Sequence, residues 1–181
     1  MHGMLKITGN DKTLELIKLA RGLETVAGDA AECGVYQGGN LYFLSTQVAT
    51  RHWFGFDTWN GLPQEAWREG EPHKVGDFAD ASWSETWFYF SMQRNVTLRR
   101  GVFPDSAHGL EAHKFAFVYV DFDFYKSTVA ALDWFLPRMA TGGIMAFDDY
   151  DWPHCPGVKQ ALDERKLPVR IALPYLAVVE L

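Results

Sequence analysis

The chain reads as an α/β protein: a doubly wound, mostly parallel seven-stranded sheet with an antiparallel C-terminal strand. Three features of its 181 residues predict this. Strand-like and helix-like segments alternate from Asp29 to Lys166, the order that winds a parallel sheet. The strand-like segments are short apolar runs, Phe117-Val118-Tyr119-Val120 above all, as strands buried on both faces should be. Two last strand-like runs, joined through Leu173-Pro174-Tyr175, predict an antiparallel strand added at the edge of the sheet.

The elements follow in order. Leu14, Ile17, Leu19 and Leu23 recur near helical spacing, which predicts a leading amphipathic helix over Asp11–Val26, capped at Asn10 or Asp11. A first strand at Asp29–Val35 leads through the glycine turn Gly34–Gly39 into a helix running to about Thr50. A second strand, Trp53–Phe56, ends on Asp57 and is closed by a Gly-Leu-Pro turn. Residues 63–93 carry Trp67, Trp83, Trp87 and Phe88 among acids, without a strand pattern and with a broken helical one. That length is too great for an ordinary connection, and the segment reads as an aromatic cap over a pocket or as an extra helix pair. Asn95–Arg100 is a third strand, and Phe117–Asp121 a fourth, followed by a helix through Pro137. A glycine turn precedes a fifth strand at Ile144–Phe147, which ends on Asp148-Asp149. A helix at Gly157–Lys166 and two strands, VRIALPY and LAVVEL, complete a single domain over residues 1–181.

Composition narrows the function classes. A hydrophobic content of 48% with 22% charged residues belongs to a globular chain. The net charge of −6 argues against a nucleic-acid surface, which needs a basic patch. No apolar run approaches the ~18 residues of a membrane span, and the first residues lack a signal-peptide core. With Cys33 and Cys155 the only cysteines, a reduced, cytoplasmic protein is expected.

Two constellations carry chemistry. The turn Glu32-Cys33-Gly34-Val35-Tyr36-Gln37-Gly38-Gly39 lets the backbone approach a ligand at a helix start. Tyr36 replaces the second glycine of the dinucleotide fingerprint, and no Gly-Lys-Ser/Thr is present, so no phosphate cradle is expected. Asp57, at the end of the second strand, can accept both hydroxyls of a ribose. A nucleoside without a phosphate cradle suggests S-adenosylmethionine. In the second constellation, Asp121 and Asp123 alone read equally as helix caps or as chemistry. Asp148 and Asp149 end the neighbouring strand and project to the same rim. A like-charged pair about 4 Å apart costs roughly 4 kcal/mol at an effective dielectric of 20, so a cation or bound proton is expected there. An all-oxygen set favours Mg²⁺ or a similar hard divalent ion.

Six segments in this order resemble the macrocin O-methyltransferase (TylF-type) family: E-C-G-V-x-x-G-G at Glu32–Gly39, F-D-x-x-x-G-L-P at Phe56–Pro63, G-x-F-P-D-S at Gly101–Ser106, V-D-x-D-x-Y-x-S-T at Val120–Thr128, G-G-x-x-x-x-D-D-Y at Gly142–Tyr150, and a glycine at Gly157. The chain is similar to the family over about residues 29–166. The resemblance implies a Rossmann-like class I methyltransferase that methylates a sugar hydroxyl of a natural product. It implies Asp121, Asp148 and Asp149 as Mg²⁺ ligands and Asp123 as the general base. It also implies that Glu32, Gly34, Gly38 and Gly39, with Cys33 and Tyr36 of the same turn, line the methionine end of S-adenosylmethionine. Asp57, with Thr58 beside it, would hold the ribose. Asn40, where a Ser is common, and Phe122 and Phe124, flanking Asp123, depart from the family pattern.

The expected partner is a small-molecule hydroxyl acceptor, and a homodimer is compatible with the resemblance. Two other readings stay open: a catechol-type methyltransferase acting on a flat aromatic diol, and a homologue that binds S-adenosylmethionine without transfer. Of the loop histidines His73, His108, His113 and His154, His73 is the candidate auxiliary base. Trp59 reads as a packing residue and Cys155 as structural.

Overall fold

The computed structural model describes residues 10–181. Seven strands form one sheet: β1 (Asp29–Cys33), β2 (Trp53–Asp57), β3 (Val96–Arg100), β4 (Phe115–Val120), β5 (Met139–Phe147), β6 (Val169–Leu173) and β7 (Leu176–Glu180), in the order β3-β2-β1-β4-β5-β7-β6. The pairs β1–β2, β2–β3, β1–β4 and β4–β5 are parallel. The final strand β7 is antiparallel to both β5 and β6 and lies between them, so β6 holds the edge. The antiparallel strand is thus inserted rather than added outside. Its all-apolar Leu176–Val179 is buried, whereas β6 carries Arg170 and a half-exposed Ile171, composition suited to an edge.

Helices α1 (Asn10–Arg21), α2 (Gly39–Gln47) and α3 (Trp83–Phe90) cover one face, and α4 (Tyr125–Phe135) and α5 (Pro156–Glu164) the other. The strands supply both cores by alternation. Phe117, Tyr119, Ile144 and Ala146 join the α1–α2 side; Val118, Val120, Met145 and Phe147 join the α4–α5 side. All six residues of β4 are buried, as its unbroken apolar run predicts.

Several boundaries move. The buried stripe of α1 is Thr13, Leu16, Ile17 and Ala20, continued by Leu23, while Leu14 is 63% exposed. Counting leucines set the stripe off by one position at its start, since Thr13 and not Leu14 faces the core, and it passed over Leu16 and Ala20. The residue preceding α1 lies outside the described residues, so its cap is not defined. Gly142-Gly143 sits within β5 rather than before it. Phe115 pairs with Met139 and Phe117 with Ile144, so the intervening residues of β5 loop out, with Gly142 at φ +80°. Residues 63–93 form one short helix, not a pair: Ser82 caps α3 by accepting the Glu85 N–H, and turns make up the rest.

Candidate active site

The parallel strands deliver four loops to one rim, and the sheet's own hydrogen bonds continue into them. Gly34 N–H donates to Phe56 O at 2.8 Å, Gly101 N–H to Asp57 O at 2.9 Å, Asp121 N–H to Cys33 O at 2.8 Å and Asp148 N–H to Val120 O at 2.8 Å. Strand end and site are therefore one rigid unit, at the place where open α/β sheets bind ligands. Gly34 is demanded by this closeness: at φ +91°, a Cβ there would lie 1.9 Å from Asp121 O. Gly38 likewise has φ +91°, and a Cβ there would also meet the Phe90 ring at 2.7 Å.

A cavity of about 400 Å³ opens on this rim, within the range of small-molecule sites. One end is built by the glycine turn and Asp57. The Asp57 carboxylate accepts the Tyr36 N–H at 2.8 Å and the Trp59 N–H at 2.7 Å, one on each oxygen. A carboxylate has about four acceptor sites, so capacity remains toward the cavity that Asp57 lines. Burial raises its pKa, and the Trp59, Tyr36 and Thr58 donors oppose that rise. Trp59 is buried, donates its Nε1–H to Tyr36 O at 2.9 Å and meets Trp83 edge-on. It braces the turn and does not line the cavity.

The other end is acidic. Asp121, Asp123 and Asp149 each offer a carboxylate oxygen, all within 4.8 Å of one another. Asp123 (φ +59°) and Asp149 (φ +58°) are both left-handed, a backbone region in which Asp is among the tolerated residues and which clusters at functional sites. Burial, then Asp148 and Asp123, hold the Asp121 carboxyl well above the usual range. Burial, then Asp149, push Asp123 up to about 8; burial, then Asp148, push Asp149 up to about 6. Crowded, desolvated carboxylates retain protons unless a cation compensates them. An all-oxygen set at this spacing fits a hard divalent ion such as Mg²⁺.

Asp148 is turned away from that trio. Its Oδ1 is ion-paired with Lys12 Nζ of α1 and also accepts the Asp149 N–H at 2.9 Å. Its Oδ2 accepts the Tyr119 hydroxyl at 2.7 Å. Desolvation lowers the Lys12 pKa, but Asp148, Asp121 and Asp149 together outweigh it and the net shift is upward, so Lys12 stands as a cation against the cluster.

With this geometry in place, the comparisons with known proteins become decisive. The model of the TylF macrocin-O-methyltransferase family matches residues 6–178. The chain belongs to this family. One curated relative is the 8-demethyl-8-(2,3-dimethoxy-alpha-L-rhamnosyl)-tetracenomycin-C 4'-O-methyltransferase of Streptomyces olivaceus, 27% identical over 146 residues. That alignment covers 72% of this chain and 56% of the relative, so the chain spans little more than half the relative's length. Among solved structures, the O-methyltransferase NovP superposes with a TM-score of 0.85 over 98% of this chain and 82% of its own, at 21% identity, a likeness of fold. CalS11, a calicheamicin methyltransferase, superposes with a TM-score of 0.79 at 25% identity, over 97% of this chain and 80% of its own.

Of the positions that the TylF resemblance implied, Gly34, Tyr36, Asp57, Thr58, Asp121, Asp123, Asp148 and Asp149 line the cavity. Glu32, Cys33, Gly38 and Gly39 are not among its lining residues. Glu32 is nonetheless unusual: its Oε2 is buried without a partner, and burial, with Asp57 and Asp148, holds its carboxyl well above the usual range. The sequence reading missed Lys12 and Tyr119. Tyr119 was findable, because it precedes Asp121 by two in a strand and so shares its face. Lys12 was not, since only the tertiary fold brings α1 to the end of β5. Cys155 also proves more than a core residue: it is buried, with Sγ 3.6 Å from Asp123 Oδ1. His73, assigned to an exposed loop by default, is part-buried beside the same carboxylate. No described helix is long and apolar enough to cross a membrane.

Proposed function

We propose that the chain is an S-adenosylmethionine-dependent O-methyltransferase that methylates a sugar hydroxyl of a small natural product with the help of a divalent cation. The observation that carries this reading is the shared cavity: a ribose-type acid, Asp57, at one end and three converging carboxylates at the other. The substrate class is taken from the curated relative, whose name describes transfer to the 4' oxygen of a rhamnosyl group.

When bound, S-adenosylmethionine supplies an electrophilic methyl group, and Mg²⁺ supplies positive charge that acidifies a nearby hydroxyl from a pKa of ~16 by several units. Asp57 accepts the ribose hydroxyls and so orients the nucleoside for in-line transfer. Asp121 and Asp149 hold the cation. Asp148 anchors the cluster through Lys12 and Tyr119, and its remaining acceptor capacity toward the cavity would let it join the ligand set. Asp123 takes the acceptor's proton: burial, then Asp149, raise its pKa, and a cation at the neighbouring carboxylates would keep it ionised and able to act as the base. Phe78 and Pro63 of the 63–93 segment, together with Gly61, Leu62 and Trp152 outside it, wall the cavity and exclude water, the role proposed for that segment as a cap.

The aromatic walls Phe78, Phe103, Phe122 and Trp152 favour one second reading, a flat aromatic diol as acceptor. Calorimetric titration with S-adenosylmethionine, with and without Mg²⁺, followed by transfer assays on glycosides and catechols, tests both. Absence of cofactor binding removes the methyltransferase reading altogether. Transfer to catechols and not to glycosides replaces the sugar acceptor with the aromatic one.

A further inference from the structure

Beside the all-oxygen trio lies a second set of different chemistry. His73, Asp123 and Cys155 each offer one ligand atom, and the three atoms lie within 4.8 Å of one another. They come from three separate parts of the chain: the 63–93 segment, the loop after β4 and the residue before α5. We propose that His73, Asp123 and Cys155 form a binding site for a borderline transition ion, zinc above all, distinct from the hard-ion site with which it shares Asp123.

The donor types make this argument. One imidazole, one carboxylate and one thiol suit zinc or cobalt and not Mg²⁺, which prefers oxygen alone. Three protein ligands with a fourth position open is the pattern of accessible zinc sites. The histidine is prepared for the task. Its Nδ1 lies 3.3 Å from Asp77 Oδ2, while Nε2 is shielded from solvent and has no hydrogen-bond partner. A ligating histidine characteristically gives its other ring N–H to a carboxylate, which fixes the tautomer and leaves the free nitrogen pointed at the ion. Asp77 is itself held by the Lys74 N–H at 2.9 Å. An unpartnered, shielded ring nitrogen is a desolvated acceptor, and a bound ion would satisfy it.

The other two donors are equally placed. Cys155 is buried, and its thiol points at the Asp123 carboxylate at 3.6 Å. On binding, the sulfur–metal bond forms and the thiol proton leaves to solvent, so charge and atoms balance without any redox partner. Asp123 lines the open cavity and gives the ion its way in. A tetrahedral ion with bonds of about 2.0–2.3 Å needs its ligands roughly 3.5 Å apart, so small side-chain rotations close the set. Because Asp123 belongs to both sets, an ion held by His73 and Cys155 also ties up the carboxylate assigned above as the base; this consequence alone rests on the methyltransferase reading.

Cobalt provides a direct test, because thiolate coordination gives Co²⁺ a near-ultraviolet sulfur-to-metal charge-transfer band. Titrating Co²⁺ into the whole protein under excess Mg²⁺ should produce that band with a one-to-one endpoint. Cys155→Ser should abolish the band, and His73→Gln should weaken Co²⁺ binding at least tenfold. Asp77→Asn should weaken it by about 10- to 100-fold without removing the band, as loss of an outer partner does. The proposal is overturned by absence of the band or by its persistence in Cys155→Ser. Should Cys155→Ser fail to fold, His73→Gln decides alone: unchanged Co²⁺ affinity in that variant overturns the site. None of these readouts uses methyl transfer, so they stand or fall apart from the enzymatic reading.

Discussion

The carboxylate rim and the 62–93 segment border one cavity but are held by different forces. At the rim the sheet fixes the backbone: the amides of Asp121 and Asp148 each donate into the preceding strand's ladder at 2.8 Å. The segment has only α3 as regular structure, and its cavity-lining part is held by turn contacts, Leu62 N–H to Asp77 O and Gly76 N–H to Leu62 O, both at 2.9 Å. Side chains complete it, with Tyr36 OH on Asp80 and the Tyr36 ring edge-on to Phe78. Groups that must meet a reacting atom within a fraction of an ångström sit here just beyond rigid strand ends; groups that shape the cavity sit on the longer loop. Rim substitutions should therefore lower kcat, and segment substitutions should raise KM.

The sharpest way to break this division is Asp123→Asn. The amide cannot accept the acceptor's proton, so kcat should fall by about 10²- to 10⁴-fold. Cofactor affinity measured by calorimetry should stay within a few-fold, because Asp57 and the glycine turn are untouched. Near-normal turnover would remove Asp123 from the base role. Asp149→Ala comes next. It takes one oxygen donor from the trio, so apparent Mg²⁺ affinity in turnover assays should weaken by more than the about 10- to 100-fold that loss of an outer partner costs. An unchanged Mg²⁺ response would detach the cation from this cluster.

The same division explains what the sequence disclosed. The six family segments lie mainly on strand ends and turns, where backbone geometry constrains residue type. Gly34 is the clearest case, because its Cβ would overlap Asp121 O. The unbroken apolar run of β4 and the two acidic strand ends were legible for a related reason: burial on both faces and a shared rim follow from alternation and strand order. What stayed hidden depends on side-chain meetings across long loops. Nothing local to His73 or Cys155 says that both approach Asp123, and nothing near Lys12 says that it pairs with Asp148. Even the placement of β7 between β5 and β6 depends on long-range pairing, with Leu176–Val179 of β7 buried and Arg170 and Ile171 of β6 exposed at the edge.

Stability against pH offers a third contrast. Asp149 is pushed up to about 6 and Asp123 up to about 8, while an unfolded Asp titrates near ~3.9. Between about pH 4 and 8 the native state thus binds more protons than the unfolded chain, and stability falls as pH rises. The melting temperature of the metal-free protein should drop between pH 5 and 8, each kcal/mol lost corresponding to about 2–4 °C. Excess Mg²⁺, or the substitution Asp149→Asn, should flatten the slope. Asp77 in the segment is displaced the other way, downward, by the Lys74 amide. It is exposed and should contribute no comparable slope. A melting temperature independent of pH in the metal-free protein would mean that the rim acids are not held protonated.

The smallest expected effect tests the other half of the comparison. Phe78 is 45% exposed, lies in the left-handed region at φ +65° and makes no backbone ladder contact, so Phe78→Ala should lower the melting temperature by only about 2–4 °C. Its ring nevertheless lines the cavity and leans on Tyr36, whose amide is held by Asp57. Losing the burial that a bound ligand would give the exposed part of the ring forfeits roughly 1 kcal/mol, or several-fold in affinity. With Tyr36 on the methionine end of the cofactor, as the TylF resemblance implies, that loss should appear in the KM for S-adenosylmethionine, with kcat within about two-fold. A fall in kcat of the Asp123→Asn kind would show that the segment fixes the reacting atoms as firmly as the sheet does, and the division between rim and cap would have to be abandoned.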